Sequence, residues 1–283
     1  MGYTAFARIF LKQKNAFCGK IRIIFFIMFQ PLRSQRAIMQ TTAKEYIIFP
    51  LDFPSMEAAQ FHIRQLDDRV GMFKIGLELF IRQGPAVVEM VRKMSSAGIF
   101  LDLKLHDICA TVGRAMARVA DLGVDLVTVH GASSQKMLES AVQNAGKTKV
   151  LAVTLLTDND ADTVRAQGFK DEYVNAPEKL VLLRARMAME AGCAGVVCSG
   201  QETAMLKAQL GKGCLAVTPG IRPQWCLTPG DDQRRVVTPA KAVQAGSDYI
   251  VIGRPIRDAH DPARAAERVA LEIEAGLSGG PAA

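Results

Sequence analysis

The chain has 283 residues, of which 49% are hydrophobic, 22% charged and 6% aromatic, and this composition excludes disordered, collagen-like and disulfide-scaffolded proteins. Its formal net charge of +7 is unevenly distributed, because residues 1–44 contain eight of the 35 basic groups and none of the 28 acidic groups. Residues 45–283 therefore carry 27 basic and 28 acidic groups and are close to neutral, which argues against a nucleic-acid partner.

The basic segment 1–44 contains one apolar run, residues 21–29, which falls well short of the roughly 20 residues that cross a bilayer. A basic start before an apolar run is typical of a signal peptide, but no small-residue cleavage site follows. Three interpretations stay open: a membrane-surface anchor, a targeting peptide, or an extension upstream of a start at Met39. Met39 lies just before the first predicted strand and favours the third, so we expect a disordered segment or start-site artefact outside the fold, and no membrane partner.

From residue 46 onward, short β-branched runs alternate with amphipathic stretches at a period of about 25 residues. The predicted strands are 46–52, 72–76, 99–105, 126–130, 150–157, 195–199, 215–220 and 249–253. The predicted helices are 56–66, 85–96, 113–122, 135–145, 177–191, 201–210, 239–245 and 261–275. Eight alternating units indicate an α/β protein with a closed (β/α)8 TIM barrel as a single domain, residues 45–277, before a flexible tail, 278–283. No GxGxxG motif follows the first strand, which disfavours a dinucleotide-binding sheet.

Charged residues occupy the third predicted strand, close to the end where such barrels carry their catalytic groups. Asp102 and Lys104 are two residues apart and point to the same side of a strand, whereas the leucines between and around them point toward the helices. A buried ion pair costs desolvation, so its presence favours a functional role over a structural one. Lys74 on the second strand reaches the same space, and the array is suited to hold a charged substrate beside a lysine that donates a proton.

The loops after the seventh and eighth predicted strands are the usual phosphate site of this fold. They contain residues 218–223, residues 231–235 and the pair Gly253-Arg254. Glycine lets backbone N–H groups approach phosphate oxygens, and a guanidinium binds them in a bidentate manner. Arg234 and Arg235 have an alternative interpretation as solvent-facing side chains.

The cysteines are too few to staple a chain of this length, and none forms a CxxC pair, so we expect reduced thiols in a cytoplasmic protein. Cys193 and Cys198 flank a short strand and are interpreted as packing residues. His130 is interpreted either as a pocket residue or as the holder of a structural hydrogen bond.

Six segments together resemble the orotidine 5′-phosphate decarboxylase family, and they occur in the family's order at barrel positions: 51–52, 73–76, 100–108, 218–223, 230–235 and 252–256. The resemblance runs from about residue 45 to residue 275. It implies decarboxylation of orotidine 5′-phosphate to uridine 5′-phosphate and CO2, the final step of pyrimidine nucleotide (UMP) biosynthesis, without cofactor or metal.

The resemblance also implies a role for each matching residue. Lys104 stabilises and protonates a carbanion at C6 of the pyrimidine, Asp102 faces the substrate carboxylate, and Lys74 and Asp107 complete the array. Asp107 and Thr111 act in the site of a partner subunit, which implies a homodimer with shared active sites. The remaining substrate contacts are Ile108, Asp52 at the ribose, Thr157 at the base, and Arg222, Gln233, Gly253 and Arg254 at the phosphate. Whether Asp102 repels the carboxylate or preorganises the site stays open.

Two departures from the family pattern stand out: Cys109-Ala110 replaces Pro-Asn, and Asp158 follows Thr157 where serine is usual. The first departure supports an alternative, a non-catalytic barrel that binds a nucleotide monophosphate. A second alternative is the related group of hexulose-phosphate synthases and keto-gulonate-phosphate decarboxylases, which hold Mg²⁺ with a carboxylate from strand 2. Lys74 stands at that position, and an ammonium disfavours a metal site. A membrane-associated protein anchored by residues 1–44 is the third alternative.

Overall fold

The eight strands form a closed parallel barrel in which each strand pairs with its neighbour in sequence and the eighth returns to the first. The computed structural model describes residues 42–226 and 237–279. The strands are β1 Ile47–Pro50, β2 Met72–Ile75, β3 Gly98–Leu105, β4 Leu126–His130, β5 Lys149–Val153, β6 Gly195–Val197, β7 Leu215–Thr218 and β8 Tyr249–Val251. The predicted (β/α)8 barrel is therefore confirmed.

Helices follow the strands and surround the barrel. They are α1 Met56–Leu66, α2 Leu77–Gln83, α3 Ala86–Met94, α4 Cys109–Leu122, α5 Gln135–Gln143, α6 Ala161–Ala166, α7 Asp171–Val174, α8 Pro177–Glu190, α9 Thr203–Leu210, α10 Pro239–Gln244, α11 Arg254–Arg257 and α12 Pro262–Leu277. Side chains of Ser55, Ser134, Thr238 and Asp261 accept hydrogen bonds from the first turns of α1, α5, α10 and α12, which explains where these helices begin.

The folded unit begins slightly earlier than residue 45, the predicted boundary. A 3₁₀ turn at Ala43–Tyr46 precedes β1, and Ala43 is buried in the core. The last helix ends at Leu277, the last residue of the predicted barrel domain and directly before the predicted tail, 278–283. Residues 1–41 and 280–283, with the interpretations placed on them, lie outside the described residues. Within the residues that the structure describes, no helix is long and apolar enough to cross a membrane.

Two apolar layers lie on opposite faces of the strands, as the period-2 alternation of β-structure requires. The outer layer packs between the strands and the helices and includes Phe49, Phe73, Leu101 and Val127. The inner layer fills the barrel and consists of Ile48, Met72, Phe100, Leu126, Leu151 and Val217. Two residues further toward the carboxyl end of β2, β3 and β4, the inward-facing residues are polar: Lys74, Asp102 and Thr128. The floor of the barrel interior is therefore apolar, and its carboxyl end is polar.

Candidate active site

Four charged side chains from the carboxyl ends of β1, β2 and β3 form a chain of alternating sign. The ammonium of Lys74 lies 3.1 Å from Asp52 Oδ1 and 3.5 Å from Asp102 Oδ2. Lys104 Nζ lies 3.0 Å from both carboxylate oxygens of Asp102. Lys74 is only 8% exposed, so its charge is compensated by these carboxylates rather than by bulk water. The structure thus brings together three of the four array residues predicted from the sequence, with Asp52 in addition.

Asp102 is ionised at neutral pH because of its neighbours. Burial alone would raise the pKa of this carboxyl group, but the two lysines and the hydrogen bonds from Lys104 and Thr128 outweigh burial and hold the pKa below its usual value. The site therefore presents a fixed negative charge between two fixed positive charges.

The strand that carries Asp102 and Lys104 is not regular, which differs from the prediction. Leu101 pairs with Val127 and Leu105 pairs with Val129, so three residues of β3 stand opposite one residue of β4. Lys104 has a backbone φ of +50°, a left-handed conformation that is unfavourable for a residue with a Cβ. Both side chains still point into the barrel, as predicted, since both line the cavity and Lys104 Nζ contacts Asp102.

A cavity of about 190 Å³ opens above the charged cluster. Its charged wall is formed by Lys74, Asp102 and Lys104, and its other walls are mostly apolar: Phe100, Val153, Leu155, Leu156, Thr157, Val197, Cys198, Pro219 and Val251. Burial raises the pKa of the Cys198 thiol to about 12, so this cysteine is a packing residue and not a nucleophile. An apolar slot with charges on one side suits a flat ring that carries an anionic substituent.

The wall after β5 depends on a residue that the sequence analysis missed. Arg184 on α8 is 7% exposed, donates a hydrogen bond of 2.5 Å to the carbonyl of Thr154, and lies 5.3 Å from the ring centre of Phe169. Arg184 shares the buried face of α8 with four apolar residues: Leu180, Val181, Ala185 and Ala188. The sequence could have indicated its role, because an arginine is almost never fully buried unless it is paired. Thr157 lines the cavity, whereas Asp158 is exposed to solvent.

Comparisons with known proteins agree on one family. The model of the orotidine 5′-phosphate decarboxylase / HUMPS family matches residues 45–269. The chain belongs to this family. A curated orotidine 5′-phosphate decarboxylase of Desulfosudis oleivorans is 45% identical over 248 residues, which cover 87% of this chain and 100% of that protein. One from Anaeromyxobacter sp. (strain K) is 46% identical over 230 residues, covering 81% and 98%. The crystal structure of the Lactobacillus acidophilus enzyme has a TM-score of 0.70 at 35% identity and covers 80% of this chain and 98% of its own.

In the part of the chain that the structure describes, the residues that the family resemblance assigned to a partner's site do not line the cavity beside the charged cluster. Asp107 is exposed just past β3, where its carboxylate accepts a hydrogen bond of 2.6 Å from the backbone N–H of Ile108. Ile108 is 70% exposed, and Thr111 lies in the first turn of α4. Cys109 and Ala110 begin α4 without the family's proline and asparagine, and the hydroxyl of Ser140 donates to the carbonyl of Cys109.

Two histidines, His106 directly after β3 and His130 at the end of β4, form a pair. His106 and His130 stack with ring centres 5.1 Å apart, and the backbone N–H of Ala132 donates to Nδ1 of His130. Burial lowers the pKa of His130, and the charges of His106, Arg184 and Lys104 lower it further. His130 is not among the described residues that line the cavity, which favours a structural hydrogen bond over a role in the pocket.

Three of the four residues predicted to bind phosphate lie within the part of the chain that the structure describes. Gly253 directly follows the residue after β8, and a Cβ at this position would stand 2.9 Å from Pro50, so only glycine fits there without a shift. Arg254 is exposed, whereas Arg222 is buried and donates to the carbonyl of Ile221. Gln233, with Arg234 and Arg235, lies outside the described residues.

Proposed function

We propose that the chain is a cytoplasmic, homodimeric carboxy-lyase that converts orotidine 5′-phosphate into uridine 5′-phosphate and CO2, the final step of UMP biosynthesis. Family membership and the names of relatives that cover most of the chain support this substrate. The observation that carries the proposal is the sequence of alternating charges Asp52–Lys74–Asp102–Lys104 against an apolar cavity. The free thiols of the described cysteines are compatible with a reducing compartment.

In this mechanism the bond between C6 of the pyrimidine and the carboxylate carbon breaks, and its electron pair stays on C6. The ammonium of Lys104 stabilises the developing carbanion and then transfers a proton to it. The amine that remains is protonated again from solvent, which restores the acid for the next turnover. Asp102 faces the departing carboxylate, and either repulsion or preorganisation of the two lysines gives it a role in lowering the barrier.

The substrate is oriented by contacts along the rim of the cavity. Thr157 contacts the base from the wall after β5, and Asp52, whose side chain is about half exposed, contacts the ribose. The phosphate is held by the carboxyl ends of β7 and β8 through Arg222, Gln233, Gly253 and Arg254.

A second copy of the chain completes each site. Asp107, Ile108 and Thr111 follow β3, and exposed apolar side chains follow the neighbouring strand β2, where Ile81 on α2 is 78% exposed. Burial of these apolar groups against a partner is favourable. The interface carries Asp107 and Thr111 into the partner's site, which agrees with the exposure of Asp107 just past β3.

A magnesium-dependent reaction is the main alternative within the family, and Lys74 argues against it. Its ammonium lies between Asp52 and Asp102, the carboxylates that a divalent cation would otherwise use, and pairs with both, while Lys104 supplies the second positive charge. Binding of Mg²⁺ would require displacement of this buried ammonium. The charges of the cluster are thus already balanced by protein groups.

The experiment is a spectrophotometric assay of orotidine 5′-phosphate with measurement of released CO2, run with and without excess EDTA. We expect equal turnover in both conditions. Loss of turnover in EDTA would favour the magnesium-dependent alternative. Binding of uridine 5′-phosphate without any CO2 release from the substrate would favour a non-catalytic nucleotide-binding barrel.

A further inference from the structure

One hydroxyl group, that of Thr128 on β4, contacts both members of the Asp102–Lys104 pair. Thr128 is fully buried. Its Oγ1–H donates to Asp102 Oδ1 over 2.8 Å, and the same oxygen accepts the backbone N–H of Lys104 over 2.9 Å. The hydroxyl therefore links the side chain of one residue to the backbone of the other.

The pairing of β3 with β4 explains why a side chain is needed here. Between the pairs Leu101–Val127 and Leu105–Val129, β3 has three residues and β4 has only Thr128. In a regular parallel ladder, the N–H of Lys104 would find a backbone carbonyl on the neighbouring strand. The two extra residues interrupt the ladder, and the Thr128 hydroxyl supplies the missing acceptor. Without it, a part-buried N–H would lose its partner, which is costly.

The backbone of Lys104 shows that this bond holds an unfavourable conformation. Lys104 is the one residue other than glycine with positive φ in the described part of the chain. Conformations of this kind persist only where neighbouring groups over-determine them, and they concentrate at functional sites. Here the neighbouring groups are the hydroxyl of Thr128 and the carboxylate of Asp102, which holds the lysine by its ammonium.

We infer that Thr128 is a positioning residue that sets the distance and direction of the Lys104 ammonium relative to the Asp102 carboxylate. The inference rests on the proposed function, in which Lys104 donates the proton. If Thr128 acts only through this geometry, its hydroxyl affects the chemical step much more than substrate binding. A side chain that merely filled space would instead affect stability and leave turnover of the folded enzyme unchanged.

The test compares Thr128→Val, which keeps the shape and removes the hydroxyl, with Thr128→Ser, which keeps the hydroxyl. The matched control is Thr148→Val, because Thr148 is also buried and its hydroxyl donates to the carbonyl of Val124 over 2.8 Å, before β5 at the opposite end of the barrel. The measured quantities are kcat, KM for orotidine 5′-phosphate and Tm.

We expect Thr128→Val to lower kcat by at least about tenfold, with KM within about threefold, because displacement of a catalytic group affects the transition state more than ground-state binding. Thr128→Ser should recover kcat to within about threefold of the wild type, since the hydrogen bonds can form again. Thr148→Val should lower Tm to a similar degree as Thr128→Val and leave kcat unchanged.

Several results would overturn the inference. One is a folded Thr128→Val enzyme with kcat within about threefold of the wild type, and another is a serine variant no more active than the valine variant. If Thr128→Val does not fold, Thr128→Cys replaces it, and its weakly bonding thiol should give a kcat well below that of the serine variant. A wild type that does not decarboxylate the substrate would overturn the proposed function as well, whereas an active wild type with an unimpaired Thr128→Val overturns the positioning role alone.

Discussion

The two ends of the barrel interior are built by the same strands and differ sharply in chemistry. At the amino end, Met72, Phe100 and Leu126 fill the space with apolar side chains. Two residues further along the same three strands, Lys74, Asp102 and Thr128 form a network of ion pairs and hydrogen bonds. Because both ends are built from the same strands, the difference arises from the inward-facing residues and from the bulge of β3 at the carboxyl end.

This contrast separates stability from function within one core. Burial of apolar surface stabilises the amino end, whereas the charges at the carboxyl end cost desolvation that ion pairs and hydrogen bonds must offset. Such a cluster is retained for its chemistry, and the rigid apolar layer beneath it fixes the positions of the charged groups. Variants at the two ends should therefore fail in different ways.

The largest effect on stability should come from the apolar end. Leu151 is fully buried in the inner layer and does not line the cavity. Leu151→Ala should lower the free energy of unfolding by about 2–5 kcal/mol, because it removes buried methyl groups and leaves a cavity. Denaturant unfolding measures this change, and the folded fraction should keep wild-type kcat. A loss of kcat in the folded fraction would contradict the assignment of stability to the amino end and of function to the carboxyl end.

The shared sites of the proposed dimer give the next largest effect. Lys104→Ala and Asp107→Ala homodimers should both be inactive, because each lacks one member of the array at every site. After mixing and subunit exchange, half of the dimers are mixed and each has one intact site, so activity should return to about a quarter of the wild-type value. Measurement of turnover after exchange checks this. No recovery would place Asp107 in the site of its own chain.

A smaller effect is expected at the phosphate end, away from the reacting carbon. Arg254→Ala should lower kcat/KM for orotidine 5′-phosphate by at least about tenfold, because charge-assisted hydrogen bonds contribute roughly 1.5–3 kcal/mol each. Turnover of orotidine, which lacks the phosphate, should change little. Equal losses with the two substrates would mean that Arg254 supports the barrel and does not bind phosphate.

The smallest effect concerns pH and is confined to the polar end. Burial, followed by the charges of His106, Arg184 and Lys104, lowers the pKa of His130. The unfolded chain, with a histidine pKa near 6.5, then binds this proton more readily than the folded chain does, so stability should fall as pH drops below about 6.5. His130→Asn should weaken this dependence. Urea unfolding at pH 7.5 and 5.5 measures it, and an unchanged slope would contradict the assignment.

The sequence predicted the eight strands and eight of the described helices in their order; seven of these helices have eight residues or more and a hydrophobic pattern long enough to recognise. Four helices were missed, α2, α6, α7 and α11, which have four to seven residues and too few turns to show periodicity. Several strands end earlier than predicted. The strand β5 was predicted to continue to Thr157, but it ends at Val153. The carbonyl of the next residue, Thr154, accepts a hydrogen bond from the Arg184 side chain.

The charged side chains of the site could be predicted from the sequence, but the geometry that joins them could not. Asp102, Lys104 and Lys74 stand out as charges within apolar strands. Thr128 is a common strand residue and gives no signal, because its importance arises from the pairing of β3 with β4. The left-handed backbone of Lys104 is likewise a product of tertiary contacts that a local pattern does not contain.

The central claim is that Lys104 supplies the proton at the charged end of the barrel. The most direct measurement is single-turnover release of CO2 from orotidine 5′-phosphate in EDTA, by wild type and by Lys104→Ala. The wild type should form one uridine 5′-phosphate for each CO2, and the variant should be at least about 100-fold slower, because general acid catalysis alone contributes that much. A folded Lys104→Ala enzyme that kept more than about a hundredth of the wild-type rate would contradict the account.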